Sequence, residues 1–516
     1  MPALLETIRG QIDGPGRRSA AWMFGLLCLI GAARMVVFQS GQIRLLEEAA
    51  HADLYNLGTA QEFLKTGRIY PELANNALPS QYNPMLYCFI ALPTRLFPTE
   101  NRYLPARVLE LLVFAGCLAL LGSIARKLVP SRLAMPLTMV FALSYEALWP
   151  SPGTLRGDFP AIFCSLAAMR LLLARDRRLV IAAGLLAGFE TQFKVTMVTA
   201  AVSGFLWLAW RRDWRALAQF SAGALVTSAG IYGIFYVREP HMVDHFRMAF
   251  GTPLVDVKGA IEILKSVLRE PVFLLSLAML PVALLRWPGR FLLPAIYFVV
   301  SFAIASATVV QIGASTNYFY EAMFAVAPLG FFGWLHLRWK TAPVAALFAG
   351  LLLFTVYVLP AARALPGVVK GATSGVSKRN RDGIALRGAL QGKHVLSMVL
   401  NAANFAPEVV LTEPWLLAVL DRVKVMSSVP MAKRVEGREF DLVIVPVEAA
   451  NWRGLPVITP AIRAAIQDSY QPHCRLGPWL FLLPKGAPRD EEFAAHLDGI
   501  GVVRVTCPAD RECASW

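Results

Sequence analysis

Carboxylates are the side chains of this 516-residue chain whose positions most clearly suggest chemistry. Ionisable residues inside apolar stretches are rare and usually functional, and four glutamates lie there: Glu110, Glu146, Glu190 and Glu321. Asp158 lies at the edge of a further apolar stretch, and Asp53 lies in the polar segment after the first one. A carboxylate such as Asp53 can serve as a general base, although it also precedes a helical pattern and suits a helix N-cap.

The apolar stretches that position these acids indicate that a lipid bilayer surrounds most of the chain. The sequence is 56% hydrophobic and only 16% charged, whereas soluble domains are about 25% charged. The apolar runs are near ~20 residues long, which is the length that crosses a ~30 Å hydrocarbon core. The first run lacks a small-residue cleavage site and is therefore predicted to be a retained anchor. We predict about eleven transmembrane helices, at 19–38, 106–125, 133–150, 159–174, 179–193, 195–210, 216–237, 271–286, 291–310, 317–336 and 342–362.

Basic residues between these helices predict the orientation of the chain. With a cytoplasmic N-terminus, every inside loop carries arginine or lysine, as the positive-inside rule requires. The net charge of +15 is then explained by membrane orientation, and we expect no nucleic-acid binding. The alternation holds if the short, proline-interrupted segment 83–97 is interfacial or re-entrant. Segments 40–105 and 238–270 are then extracytoplasmic, as is the chain after 363, and the acids named above all lie towards that side.

The C-terminal part of the chain has a different character. Residues 364–393 are rich in glycine, serine and basic residues, which is typical of a linker. Strands are predicted at His394–Met398, Glu408–Leu411, Phe440–Val445 and Trp479–Leu483, and helices at Trp415–Val423 and Thr459–Tyr470. We therefore predict a transmembrane module at 1–363, a linker at 364–393 and a small extracytoplasmic α/β domain at 394–516. Cys507 and Cys513 would be a disulfide or two free thiols, and the sequence leaves both open.

Several motifs, taken in order, resemble those of GT-C glycosyltransferases, which are integral membrane enzymes that use lipid-linked sugars. They are Asp53, a helix running to Gly67 and Tyr70, the proline-marked YNPMLYCFIALPTRLF, Arg107, Arg156 and Asp158 in LRGDFPAIF, Lys194 in QFKVT, and Asn317, Tyr318 and Glu321 in STNYFYE. The resemblance covers 20–340, and its tail-bearing form is similar to the bacterial branch related to protein O-mannosyltransferases and aminoarabinose transferases. The chain departs from the family in having His-Ala-Asp for a paired acid motif, with Glu47 and Glu48 upstream, and Asn83–Pro84 for Pro-Pro.

The resemblance implies a transferase that moves a hexose or pentose from a polyprenyl phosphate to an acceptor hydroxyl, with inversion, at the outer face of the membrane. Asp53 would be the general base, and Asp158 the second acidic position. Cations would hold the leaving phosphate, because negative charge develops there; the candidates are Lys194 and Arg156, followed by Arg102 and Arg107. The candidates for lining the substrate are Tyr82, Asn317, Tyr318 and Glu321.

The resemblance also implies the partners and the location of the enzyme. The donor is a polyprenyl-phosphate-linked sugar, and the acceptor is a cell-envelope glycan, lipid or protein. The chain would lie in the inner (plasma) membrane of a bacterium. We expect no cofactor, and no metal site, because His51, His241 and His245 form no ligand-like set.

Other functions and simpler roles stay open at this point. A polysaccharide polymerase or ligase usually carries its large loop late in the chain, and a lipid-linked sugar transporter or flippase would show inverted repeats or midplane polar sites. A membrane scaffold without activity is a fourth interpretation. Lys194 would also suit a snorkelling residue, Arg156 an ion-pair partner of Asp158, Tyr318 an interfacial aromatic, and Asn317 an N-cap.

Overall fold

The structure is a computed structural model in which helices predominate. It describes residues 15–46, 53–73, 80, 82–129, 134–149, 151–174, 176–250, 255–286, 288–311, 313–336, 359–398, 409–411, 414–447, 451–452, 455–456, 458–488, 490–498 and 503–504. The predicted Cys507–Cys513 pair, the acids Glu47 and Glu48, and His51 lie outside these residues.

The described residues of the first part of the chain are mostly helical. The helices are α1 (Pro15–Gln42), α2 (Asp53–Thr66), α3 (Pro84–Leu96), α4 (Leu104–Leu128), α5 (Ala134–Leu143), α6 (Asp158–Leu172), α7 (Arg177–Glu190), α8 (Thr199–Trp210), α9 (Trp214–Arg238), α10 (Met242–Phe250), α11 (Val257–Leu268), α12 (Pro271–Arg286), α13 (Pro288–Thr308), α14 (Tyr320–His336), α15 (Leu359–Lys370) and α16 (Val376–Leu390). Short 3₁₀ turns, Glu146–Leu148 and Thr316–Phe319, precede α6 and α14.

Three of the described helices are long and apolar enough to cross a membrane: α4, α9 and the part of α13 from Gly289 to Thr308. Helices α11 and α12 supply a fourth if they form one span, bent by 74° at their junction. Most of the other predicted spans correspond to shorter helices, and 337–358, which holds most of the last one, lies outside the described residues. The count of eleven therefore stays a prediction. Helix α3 has 13 residues, which is short for a span and suits the predicted interfacial or re-entrant segment.

The connection between α7 and α8 shows why some helices are shorter than predicted. The sequence predicts spans at 179–193 and 195–210, but α7 ends at Glu190 and α8 begins at Thr199. The Glu190 carboxylate accepts hydrogen bonds from the backbone N–H groups of Ala200 and Ala201, at 3.0 and 3.3 Å. A carboxylate in this position satisfies the unpaired N–H groups of a first helical turn and favours a helix start there.

Glycines bring α7 and α9 into close contact. A Cβ atom on Gly184 would lie 2.1 Å from the carbonyl oxygen of Phe220, and one on Gly188 would lie 2.2 Å from that of Ala224. The four-residue spacing places both glycines on one face of α7, as in helix pairs that pack through small residues in membranes.

We expect Gly184→Ala to destabilise the protein, because the added methyl group must push the backbone of α9 away. Overpacking of this kind costs about 1–3 kcal/mol, measurable as a lower midpoint in thermal unfolding of the protein in detergent. The matched control is Gly230→Ala on α9, where a Cβ atom meets nothing within 4 Å. Equal midpoints for the two variants would show that α7 and α9 do not pack as described.

The C-terminal part forms a mixed sheet with the strand order β2-β1-β3-β7-β6-β8. Its elements are β1 (Val395–Ser397), β2 (Val409–Leu411), α17 (Pro414–Arg422), α18 (Val429–Glu436), β3 (Leu442–Pro446), α19 (Pro460–Ser469), β6 (Tyr470–Leu476), β7 (Trp479–Pro484), α20 (Glu491–Leu497) and β8 (Val503–Arg504), with a separate hairpin of β4 (Asn451–Trp452) and β5 (Leu455–Pro456). The first three strands pair in parallel, and β7, β6 and β8 are antiparallel. The predicted strands correspond to β1, β2, β3 and β7, and the predicted helices to α17 and α19.

The segment predicted as a linker, 364–393, is largely helical. Helix α15 continues through a π-helical stretch, Gly371–Gly375, into α16. The glycine of α1 at position 41 explains how this segment packs, since a Cβ atom there would lie 2.8 Å from Cα of Ala372. The division of the chain into domains stays a prediction.

Candidate active site

Asp158 lies at the centre of a buried polar cluster. It begins α6, and Gly157 before it allows close approach to the segment between α7 and α8, because a Cβ atom on Gly157 would lie 2.6 Å from the carbonyl oxygen of Phe193. The next residue along that segment is Lys194, whose Nζ lies 2.9 Å from Oδ1 of Asp158. Asn317 donates from Nδ2 to Oδ2 of the same carboxylate at 2.9 Å. The structure therefore brings together three residues that the sequence singled out separately.

Two tyrosines and an arginine extend this cluster. The ammonium group of Lys194 lies 4.1 Å from the centre of the Tyr318 ring, which adds a cation–π contact. Burial raises the pKa of Tyr82, and the nearby cations Arg156 and Lys194 act in the opposite direction. Burial lowers the pKa of Arg156, but Tyr82, Asp158 and Asp53 around it stabilise the charged form, and its pKa is raised overall.

Arg156 differs from Lys194 in having donor capacity left over. Its Nε atom is buried and, within the described part of the chain, has no hydrogen-bond partner. Lys194 is held by Asp158 on one side and by the Tyr318 ring on the other. Since a guanidinium group presents several donors in a planar fork that fits phosphate oxygens, Arg156 is better placed than Lys194 to meet an incoming anion.

Asp53 is fully buried and holds the backbone that leads to Arg156 and Asp158. Its Oδ1 accepts the backbone N–H of Leu155 at 3.0 Å, and Asn56, one turn later on α2, donates from Nδ2 to the carbonyl oxygen of Leu155 at 2.6 Å. The first turn of α2 therefore clamps the peptide groups on either side of Leu155, next to Arg156. Asp53 therefore contacts one end of the short stretch 155–158, and Asp158 is the other end of this stretch.

Arg107 lies beside Asp53, whereas Lys194 is paired with Asp158. Its Nη2 is 3.8 Å from Oδ2 of Asp53, its Nη1 donates to the carbonyl oxygens of Leu45 and Gln42, and its side chain is fully buried. Arg102 lies with its guanidinium carbon 5.6 Å from the ring centre of Tyr103. These two predicted phosphate ligands thus contact other groups of the protein, and Arg107 contacts the candidate base as well as two carbonyl oxygens.

Glu321, predicted to line the substrate, is buried and makes its hydrogen bonds elsewhere. It accepts from the Thr199 hydroxyl at 2.7 Å and from the Tyr297 hydroxyl at 2.8 Å. These contacts join α14 to α8 and α13. Glu190 similarly binds the Ser165 hydroxyl in addition to the N-terminus of α8. The two acids connect the helices that carry the cluster.

Two residues near the site were missed or left without a role by the sequence analysis. Asn56 lies three residues after Asp53, and that spacing on a helix could have indicated a shared face. Glu110 on α4 is buried, its Oε1 has no hydrogen-bond partner among the described residues, and its carboxyl group interacts electrostatically with those of Asp158 and Asp53. Within the described residues, no group of three or more histidine, cysteine, aspartate and glutamate side chains is arranged to hold a metal ion.

The segment before Tyr82 is held by residues of the connection between α9 and α10 and of α10 itself. Glu239 accepts hydrogen bonds from the backbone N–H groups of Ile69 and Tyr70, at 3.0 and 3.4 Å. His245 accepts the N–H of Ser80 at Nδ1, at 2.8 Å, and its Nε2 lies 2.7 Å from the carbonyl oxygen of Pro71. Both contacts are satisfied when the ring is neutral with its proton on Nε2. Burial lowers the pKa of His245, and His241 lowers it further, whereas the Pro71 bond and Asp244 raise it.

We expect the hydrogen bonds of His245 with Ser80 and Pro71 to weaken in acid. A histidine whose folded-state pKa lies below its unfolded value contributes stability that is present above about pH 6.5 and is lost as pH falls through the folded-state pKa. Hydrogen exchange at Ile69, Tyr70 and Ser80 should therefore accelerate as pH falls below about 6.5, beyond the intrinsic change in exchange rate. In His245→Ala this extra acceleration of exchange should vanish, whereas His241→Ala, at a partly exposed neighbour, should retain it. A wild-type exchange profile without this excess would show that His245 does not hold the segment.

The structure of the chain is similar to solved structures of other proteins. No family model and no curated protein matches the sequence. The structure is similar to ArnT from Cupriavidus metallidurans bound to undecaprenyl phosphate, with a TM-score of 0.60, 13% identity and coverage of 89% of this chain and 98% of ArnT. It is also similar to the Archaeoglobus fulgidus oligosaccharyltransferase tethered with an acceptor peptide, with a TM-score of 0.53, 11% identity and coverage of 89% and 73%.

The chain thus has the GT-C fold, and the prediction of this fold from the motif order is confirmed. At identities this low the likeness establishes the fold, and the chemistry has to be argued from the residues of this chain.

Proposed function

We propose that this chain is an integral membrane glycosyltransferase that moves a sugar from a polyprenyl phosphate to an acceptor hydroxyl at the outer face of the membrane. The observation that carries the proposal is that Asp53 contacts Leu155 at one end of 155–158 and Asp158 is the other end, with Arg156 and Lys194 beside them. A buried site with carboxylates next to cations suits a reaction in which a proton leaves one oxygen while negative charge develops on another.

Asp53 is the general base in this proposal. Its carboxylate takes the proton of the acceptor hydroxyl while that oxygen attacks the anomeric carbon of the donor. The bond from the anomeric carbon to the phosphate oxygen breaks, and its electron pair leaves with the polyprenyl phosphate. A single displacement of this kind inverts the configuration at the anomeric carbon. Leu155 and Arg107 hold the two oxygens of the carboxylate and so fix the direction of its lone pairs.

Arg156 and Lys194 stabilise the leaving phosphate. Fixed cations in a site closed to water stabilise charge that develops in the transition state, and they need no reorganisation when it forms. Arg156 offers the unsatisfied Nε donor, and Asp158 with Asn317 holds Lys194 in place. Tyr82 and Tyr318 would line the substrate site, because both interact with these cations.

The structural neighbours support the choice of donor and acceptor classes. ArnT, an aminoarabinose transferase, is similar to this chain over nearly its whole length and was solved with undecaprenyl phosphate. The archaeal oligosaccharyltransferase was solved with a tethered acceptor peptide. A polyprenyl-phosphate sugar as donor and a cell-envelope glycan, lipid or protein as acceptor are the corresponding proposals for this chain.

The proposal includes a topology in the inner membrane. About eleven spans, a cytoplasmic N-terminus and an extracytoplasmic α/β domain at 394–516 follow from the distribution of basic residues. The cluster supports this arrangement, since Asp53, Asp158, Lys194 and Asn317 come from ends of different helices that the charge pattern places on one side.

The experiment that tests the function is transfer of radiolabelled sugar by the protein in nanodiscs, from a panel of polyprenyl-phosphate sugars. We expect transfer from one donor class to a cell-envelope extract, and release of the polyprenyl phosphate. Movement of an intact labelled donor across vesicles, without transfer from any donor, would contradict the proposal and indicate a transporter.

A further inference from the structure

The turn that follows α1 is held from two directions. From α4, Arg107 donates from Nη1 to the carbonyl oxygens of Leu45 and Gln42, at 2.6 and 3.1 Å. Asn101 adds a second donor to the carbonyl oxygen of Leu45 at 3.1 Å. The backbone of 42–46 therefore supplies the acceptors that a fully buried guanidinium group needs.

The same turn is also held by a residue of α16. The Asn380 side chain accepts the backbone N–H of Leu46 at Oδ1, at 3.0 Å, and donates from Nδ2 to the carbonyl oxygen of Arg44, at 2.8 Å. Arg44 in turn donates from Nη2 to the carbonyl oxygen of Ala372, at 2.7 Å. An amide that both donates and accepts along one backbone stretch fixes the orientation of that stretch as well as its position.

The turn also contacts the C-terminal sheet. Leu46 packs against an apolar cluster formed by residues of α16, the sheet and α20, including Leu390, Phe481 and Phe493. A continuous set of contacts therefore runs from the C-terminal part of the chain through 42–46 to Arg107, and from Arg107 to Asp53.

Movement of the turn would be transmitted to Asp53. Arg107 is wholly buried, and a buried charge that loses partners is costly, so the guanidinium group must follow its carbonyl acceptors. Its Nη2 is 3.8 Å from the Asp53 carboxylate, and a shift of this group changes the direction and the electrostatic environment of that carboxylate. Misplacement of a reacting group by about 1 Å can cost about 100-fold in rate.

We propose that Asn380 is a positioning residue for Asp53, acting through the turn 42–46 and Arg107, so that the helix leading into the C-terminal sheet sets the geometry of the base. The inference deepens the proposed function and rests on it. It gives the C-terminal part of the chain a role in the chemistry without contact with substrate.

The test compares Asn380→Ala and Asn380→Asp with Ser377→Ala, using the full-length protein in nanodiscs. Aspartate keeps the acceptor for Leu46 and loses the donor to Arg44, and it serves as the milder variant if Asn380→Ala folds poorly. Ser377 is a matched control on the same helix, because its exposed hydroxyl donates only within α16 and the preceding turn, to the carbonyl oxygen of Thr373. The quantities measured are kcat per folded molecule, KM for the donor, and the pH dependence of kcat.

We expect both Asn380 variants to lower kcat by about 10- to 100-fold, with KM unchanged, a displaced acid limb of the pH profile, and the alanine variant more affected. Ser377→Ala should match the wild type. Combined with Arg107→Lys, Asn380→Ala should lower kcat no further than Arg107→Lys alone, because both changes act through one contact.

Three results would overturn the inference. An unchanged kcat per folded molecule in both variants would show that Asn380 only stabilises the fold. An additive loss with Arg107→Lys would show that Asn380 does not act through Arg107. Absence of transfer by the wild type would overturn the inference together with the function on which it rests. Wild-type transfer with unaffected Asn380 variants would overturn the inference alone.

Discussion

We expect Asp53→Asn to lower the rate of sugar transfer by about 10²- to 10⁴-fold, the usual contribution of a positioned general base. Asparagine has the same shape and retains an oxygen that can accept the N–H of Leu155, so the clamp on 155–158 is kept. The amide cannot take a proton from the acceptor hydroxyl at neutral pH. The loss should therefore appear in kcat, with donor binding little changed, in steady-state transfer by protein in nanodiscs.

The matched control for this change is Asp244→Asn. Asp244 is half exposed on α10 and interacts with His241 and Arg247 outside the cluster, so its variant should transfer sugar at the wild-type rate. Full activity of Asp53→Asn would contradict the assignment of the base and direct attention to Asp158 or Glu48. An unfolded Asp53→Asn protein would be recognised by its thermal midpoint, and Asp53→Glu, which keeps the carboxylate, would then carry the test.

Lys194→Met is the second change with a large expected effect, and it should act on both stability and rate. Methionine removes a cation that we propose stabilises the leaving phosphate, and loss of a charge-stabilising group typically lowers kcat by about 10²- to 10³-fold. It also leaves Asp158 buried without its ion-pair partner, which typically costs about 3–5 kcal/mol. Both effects are measurable on one preparation, as kcat and as the midpoint of thermal unfolding.

A second substitution separates the two effects. In the double variant Lys194→Met with Asp158→Asn, the uncompensated buried charge is gone, and Asn317 can still form a hydrogen bond with the new amide oxygen. We expect the thermal midpoint to recover while transfer stays low. Recovery of the thermal midpoint and of sugar transfer together would mean that Lys194 only neutralises Asp158 and does not act on the phosphate.

The sequence was most informative where residues of unusual type lie in apolar surroundings. Asp158, Lys194 and Asn317 were selected from separate motifs, and the structure joins them through two hydrogen bonds of 2.9 Å. Such residues are recognisable because burial of a charge is costly and requires a partner of complementary chemistry. The GT-C fold followed from the order of these motifs and is confirmed by the structural neighbours.

The contacts of Arg107 could not be predicted in the same way. Its partners are the carbonyl oxygens of Leu45 and Gln42, and every residue carries such an oxygen, so no residue type marks the contact. Its placement depends on how α1 and α4 pack, which local patterns do not specify. The hydrogen bonds of Glu321 with Thr199 and Tyr297 on neighbouring helices were likewise not predicted, and its assignment to the substrate stays a prediction.

The strands also show where local pattern is insufficient. Strands β3 and β7 have continuous apolar sequences, β1 begins with two apolar residues, and all three were predicted. Strand β6, Tyr470–Leu476, contains proline, histidine and arginine, and it forms because it pairs with β7 and β8. Pairing between strands distant in sequence outweighs the weak intrinsic preference of such a segment.

The anomeric configuration of the transferred sugar tests the central claim most directly. The wild-type protein in nanodiscs would be given a polyprenyl-phosphate sugar of known configuration, labelled with ¹³C at the anomeric carbon, and the product would be examined by NMR. A single displacement with Asp53 as base predicts a product of inverted configuration. A product of retained configuration would contradict it, because retention requires a second displacement and a nucleophile on the protein in place of a base.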